Sequence, residues 1–144
     1  MIGRLIEIKN KSYGGKEKEY LEAIVEEFKL YEDKQVDTVY IGGGTPSSLS
    51  CDGLVFLLDK IFEYFDVTDT AEITMEVNPK TADMKKLRAL RLAGVNRLSI
   101  GVQSFNDEEL SLIGRIHTSL DAKNCILDAK FAGFKNISID LMFG

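Results

Sequence analysis

Short β-rich runs alternate with amphipathic helical stretches along almost the whole of this chain, and that alternation restricts the fold more than any other feature. The strand-like runs are "VDTVYI" (Val36 to Ile41), "AEITMEV" (Ala71 to Val77), "NRLSIGV" (Asn96 to Val102) and "NISIDLM" (Asn136 to Met142). Before the first run, Lys16 to Tyr31 carries Leu21, Ile24, Val25 and Phe28 on one helical face, after a polar turn at "KSYGGKEKE". Between the runs, apolar residues recur at three- and four-residue spacing. Leu54, Leu57, Leu58, Ile61, Phe62 and Phe65 follow Ser50; Met84, Leu87 and Leu90 follow Thr81; Ala122, Cys125, Ile126 and Ala129 follow Ser119. A helix between two strands carries the chain back to its starting edge, so consecutive strands run parallel and the crossovers are right-handed.

The punctuation agrees with that reading. Ser50 and Thr81 are expected helix caps, Asn106 with Asp107 and Glu108 opens a short helix, and Gly94 and Gly133 stand where helices stop. "LAGVNRLSI" (Leu92 to Ile100) and "FAGFKNISI" (Phe131 to Ile139) share a pattern about one β/α unit apart, which favours a barrel-like repeat. The expected fold is therefore α/β, a partial (β/α) barrel with a mainly parallel sheet of about four to five strands, forming one domain over residues 1–144.

Composition narrows the functional classes. Of 144 residues, 44% are hydrophobic and 28% charged, enough apolar material for a core, and the formal net charge of −5 argues against non-specific nucleic-acid binding. No apolar stretch approaches the ~20 residues of a membrane helix, so a cytoplasmic protein is expected. The two cysteines, Cys51 and Cys125, lie far apart, belong to no C-x-x-C motif and read as buried thiols.

In parallel α/β folds the chemistry gathers at the carboxyl ends of the strands. The first run ends in Gly42, Gly43, Gly44 and Thr45; the second offers Glu76 and Asn78; the third offers Gln103 and Ser104; the fourth carries Asp140. Arg115 and His117 follow the short helix on the same side. Singly, each has an ordinary structural explanation: a tight turn, a cap, a solvated rim, and for the sole histidine a surface or capping position. Together they suit a small ligand with cationic and hydroxyl groups. Glycines allow close approach to the main chain, carboxylates hold an ammonium or a diol, and a guanidinium fits a carboxylate in bidentate fashion. An amino acid joined to a nucleoside matches that inventory.

"YIGGGTPSSL", "EVNP", "GVQSF", "LSLIGRIHT" and "NISIDLMFG", in this order, resemble the radical S-adenosylmethionine family of oxygen-independent coproporphyrinogen III oxidases and their heme-chaperone relatives. The resemblance runs from about Ser12 to the last residue, and "GVQSF" and "GRIHT" look more like the heme-chaperone branch. It implies an incomplete barrel with S-adenosylmethionine across the carboxyl ends of the strands. By the same resemblance, Gly43, Gly44 and Thr45 meet the methionine amino end, Glu76 and Gln103 line the nucleoside and sulfonium region, Arg115 takes the methionine carboxylate, and Asp140 lies on the ribose side. In the family, a four-iron, four-sulfur cluster held by C-x-x-x-C-x-x-C reduces S-adenosylmethionine to a 5′-deoxyadenosyl radical. This sequence lacks that motif, and Cys51 and Cys125 are too few and wrongly spaced to replace it. The chain therefore reads as a fragment lacking the first barrel strand and the C-terminal units, retaining most of the S-adenosylmethionine site and inactive by itself. Its main reading is oxidase-like, in porphyrin metabolism. The alternatives are a heme-binding chaperone-type protein, or an inactive remnant that self-associates through open sheet edges.

Overall fold

The computed structural model describes residues 4–7, 16–31 and 34–143. Five parallel strands form one sheet in the order β1 (Arg4–Glu7), β2 (Gln35–Gly42), β3 (Asp66–Val77), β4 (Arg97–Gln103) and β5 (Asn136–Leu141). Helices α1 (Glu17–Phe28), α2 (Cys51–Tyr64), α3 (Met84–Leu92), α4 (Asp107–Leu112) and α5 (Ser119–Phe131) fill the connections. Strand order that follows chain order is the arrangement of a barrel wall, with each strand laid beside its predecessor. The expected α/β architecture and parallel sheet are thus present.

Four details depart from the sequence reading. No strand was expected before Lys16, yet β1 pairs with β2 from Arg4 opposite Val39 to Glu7 opposite Gly42; "RLIE" is too short for its alternation to register. The polar turn ahead of α1 lies largely outside the described residues. Strand β3 starts at Asp66 instead of Ala71, because its register against β2 breaks between Val36 and Thr38 and leaves an extra segment paired on the far side. The cap of α3 is Asp83, whose carboxylate accepts from the Lys86 amide at 2.8 Å, while Thr81 stays in the preceding turn bonded to Ser47 Oγ at 2.6 Å. Phe62, expected in the apolar stripe of α2, is instead 44% exposed and lies over the Gly94 turn.

The remaining caps fall close to where they were read. Ser50 Oγ accepts from the Gly53 amide, Asn106 caps α4, and Thr118 with Asp121 forms a capping box on α5. Gly94 and Gly133 follow α3 and α5 with φ of 109° and 98°.

Period-two alternation divides the sheet into two unlike faces. Val39, Ile41, Ile73, Met75, Val77, Leu98, Ile100 and Val102 are buried in one core with Leu54, Leu57, Leu58 and Ile61 of α2 and Leu87 and Leu90 of α3. Each such buried aliphatic contributes about 1.5–3 kcal/mol relative to exposure. The intervening residues, among them Tyr40, Thr74, Glu76, Arg97, Ser99, Ser138 and Asp140, make the other face polar. They bond across strands: Arg97 donates to Thr74 Oγ1 at 3.2 Å and to Ser138 Oγ at 3.1 Å. Helices on one face and a hydrogen-bonded polar lining on the other place any ligand on the lining, at its carboxyl end.

Candidate functional site

The end of β2 sets the site's floor. A Cβ at Gly42 would stand 2.6 Å from the Tyr40 ring and 2.9 Å from the Glu76 carboxyl, so only glycine lets those side chains close over the strand. Gly43 and Gly44 then take φ of 79° and 51°, a left-handed path open to glycine at little cost. That path turns the Gly43 N–H toward β3, where it donates to Glu76 Oε2 at 3.1 Å. Tyr40 Oη donates to Glu76 Oε1 at 2.8 Å. Both carboxylate oxygens are thereby held, and Glu76 fastens the glycine loop as well as facing the cavity.

The 3-10 turn Pro46–Ser48 carries the chain away and is fastened to the loop after β3. Ser47 Oγ accepts from the Asn78 amide at 2.9 Å, and Lys86 Nζ donates to the carbonyls of Ser47, Leu49 and Thr81 at 2.8, 2.9 and 3.0 Å. Burial holds the Lys86 ammonium below the usual lysine range.

On the other side, Ser99 Oγ donates to Asp140 Oδ1 at 3.1 Å and fixes that carboxylate against β4. Gln103, last residue of β4, has φ of 69°, the one positive value at a non-glycine among the described residues. Arg115 sits in the α4–α5 connection and is exposed.

Gly44, Thr45, Glu76, Gln103, Arg115 and Asp140 line one cavity of about 180 Å³, together with Asn78 and Ser99. Gly43 is joined to it through its bond to Glu76. The structure therefore brings the sequence-predicted site residues from three strand ends and the α4–α5 connection to one cavity, whereas Ser104, also offered by the end of β4, lines a separate cavity with Phe105 and Glu109. Sequence reasoning missed Tyr40, Ser99 and Lys86; the parity of Tyr40 with Gly42 and of Ser99 with Gly101 was the available signal, since both pairs share the polar face. His117 corrects the expectation of a surface position: it is 2% exposed, with Nε2 3.0 Å from the Val102 carbonyl oxygen.

Two carboxylates and one guanidinium lining a small polar cavity suit a ligand carrying both cationic groups and a carboxylate, which S-adenosylmethionine does. An iron–sulfur cluster does not fit the residues present. Cys51 opens α2 and Cys125 lies buried on α5, its thiol pushed up to about 11 by burial, and no group of three or more His, Cys, Asp or Glu among the described residues could hold a metal.

A parallel barrel wall with a polar cavity at its carboxyl ends is the class of protein that fold and site define. The chain belongs to the Radical SAM superfamily, whose family model matches residues 7–144. It is 39% identical over 125 residues to the heme chaperone HemW of Haemophilus influenzae, covering 86% of this chain and 33% of that protein. It is 44% identical over 131 residues to HemW of Bacillus subtilis, covering 88% and 35%. The solved structure of the radical SAM enzyme coproporphyrinogen III oxidase (HemN) from Escherichia coli superposes with a TM-score of 0.86 at 29% identity, over 99% of this chain and 36% of that one. The chain thus spans about a third of the length of these relatives. The heme-chaperone alternative fits them better than the oxidase reading ranked first from sequence. No helix among the described residues is long and apolar enough to cross a membrane.

Proposed function

We propose that this chain is the S-adenosylmethionine-binding part of a heme-chaperone-type radical SAM protein, acting on heme in the cytoplasm. One observation carries the reading: side chains from the ends of β3, β4 and β5 and from two connections converge on a single cavity holding two acids and a guanidinium. Main-chain groups of Gly43, Gly44 and Thr45 receive the methionine amino end, and Arg115 grips its carboxylate. Glu76 and Gln103 flank the sulfonium and nucleoside, and Asp140, already steadied by Ser99, accepts from the ribose hydroxyls. When bound with its cluster, S-adenosylmethionine supplies radical chemistry in this family; the residues of this chain bind it, orient it and keep its charged groups paired.

Calorimetric titration of the purified chain with S-adenosylmethionine tests the proposal. Saturable binding is expected, weakened about tenfold or more by Arg115→Ala, which removes charge-assisted hydrogen bonds, and likewise by Glu76→Ala. A chain shown by circular dichroism to be folded, yet giving no heat, defeats the reading. Hemin titration addresses the second half: a Soret shift that saturates supports heme handling, whereas oxidation of a porphyrinogen by the intact protein would restore the oxidase reading.

A further inference from the structure

His117 is the chain's one histidine, and its ring is buried in the connection between α4 and α5. A carbonyl oxygen can only accept, so the 3.0 Å contact with the Val102 oxygen means that Nε2 carries the hydrogen. Nδ1 is buried and has no hydrogen-bond partner among the described residues. A polar atom left unpaired inside a protein needs a reason.

The reason lies in what Val102 is doing. The register of β4 against β5 slips between Ile100 and Gln103, so the strand bulges there. The Ser104 amide donates back to the Val102 carbonyl at 2.9 Å, closing a three-residue turn around Gln103. With φ of 69° at its centre, this is the rare and strained form of such a turn. It aims Gln103 into the cavity, and His117 supplies the second hydrogen bond to the carbonyl that closes it.

We propose that His117 is a positioning residue for the ligand cavity, one bond serving two walls: it braces the strained turn that presents Gln103, and it anchors the connection that presents Arg115. The second wall follows from chain geometry. Arg115 stands two residues before His117, its amide bonded to the Leu110 carbonyl at 2.9 Å, while the Ser119 amide beyond donates to Asp107 at 2.6 Å. The exposed Arg115 is therefore suspended between α4 and a histidine fixed to β4. Nδ1 stays unpaired because ring placement is set by Nε2 and by the short reach of the connection. The inference rests on the cavity being the S-adenosylmethionine site proposed above.

Three variants separate a positioning role from a merely structural one. His117→Leu removes the donor, His117→Asn ends at the position of Nδ1 and falls short of Val102, and His117→Gln reaches the position of Nε2 with an N–H. Two readouts are taken on each: S-adenosylmethionine affinity by calorimetry, and amide hydrogen exchange at Ser104 and Met142, whose N–H groups bond the carbonyls of Val102 and Gln103. The Leu and Asn variants should bind about tenfold more weakly and exchange faster at both amides, and Gln should restore both. If Leu does not fold, the Asn and Gln pair decides. Equal affinity in Asn and Gln, in a chain that binds as wild type, overturns the inference, as does unchanged protection at Ser104. Wild-type chain that takes up no S-adenosylmethionine defeats the proposed function instead, and exchange at Ser104 and Met142 then decides the role of His117 alone.

Discussion

Glu76 shows how much one side chain on the polar face can organise. Its two oxygens take the Tyr40 hydroxyl and the Gly43 amide, so the carboxylate ties strand, lining and glycine loop at one point. Burial first, then the bond to Glu76 and its charge, push the Tyr40 phenol above its usual value of 10.0. The folded state thus keeps the phenol proton more tightly than the unfolded chain does. The stabilisation is complete below about pH 10 and is lost as pH rises through the raised value. Tyr40→Phe keeps the ring and removes the bond. It should cost about 1 kcal/mol at neutral pH and abolish that alkaline loss, both read from urea unfolding at a series of pH values. A Phe variant that loses stability above pH 10 as steeply as wild type would assign the loss to another group.

At the scale of elements, the two loops that hold the cavity open are set against each other by Lys86. Three carbonyls from two connections converge on its ammonium, and Ser47 and Leu49, which supply two of them, are buried. Lys86→Met preserves the length of the side chain but leaves those carbonyls without their donor. A loss of about 1–3 kcal/mol in unfolding free energy is expected, with weaker ligand binding because Thr45 and Asn78 are no longer held at a fixed separation. Chemical denaturation and calorimetry on one sample check both; a full loss of stability with unaltered affinity would confine Lys86 to folding. None of this was legible in "MKKLRAL", where Lys86 reads as a solvated helix position, because a cation bonded to three carbonyls depends on chain segments far apart in sequence. The carboxyl-end residues were legible for the opposite reason. Once strands are known to be parallel, period-two parity and strand length decide which residues stand at one edge, and no tertiary detail is needed. The cap of α3 lay between these cases: Thr81 and Asp83 are both good caps, and only the turn bonded to Ser47 decides for Asp83.

The molecule as a whole is unevenly anchored, and the weakly anchored part carries one of the cavity's two acids, Asp140. Helix α2 buries Leu54, Leu57, Leu58 and Ile61, whereas α5 buries only Ala122, Cys125 and Ala129, and no residue of β5 is fully buried. The ion pair from Lys80 to Asp121 at the start of α5 is largely exposed and adds little. Small side chains remove little apolar area from water, so the α5–β5 unit should open before the rest of the sheet unfolds. Cys125 reports that opening, since its thiol, buried and raised to about 11, is unreactive until α5 lifts away, while the half-buried Cys51 serves as a control on the same chain. Alkylation of Cys125 under native conditions should therefore depend on urea more weakly than global unfolding does; identical dependence would mean that the sheet opens as one unit. Opening of β5 also withdraws Asp140 from the cavity, so a ligand that needs Asp140 must hold the unit shut. At S-adenosylmethionine concentrations a hundred times its dissociation constant, Cys125 labelling should slow by about a hundredfold while Cys51 labelling stays unchanged. Equal labelling with and without ligand would separate β5 from the binding site and leave the cavity to β2, β3 and β4.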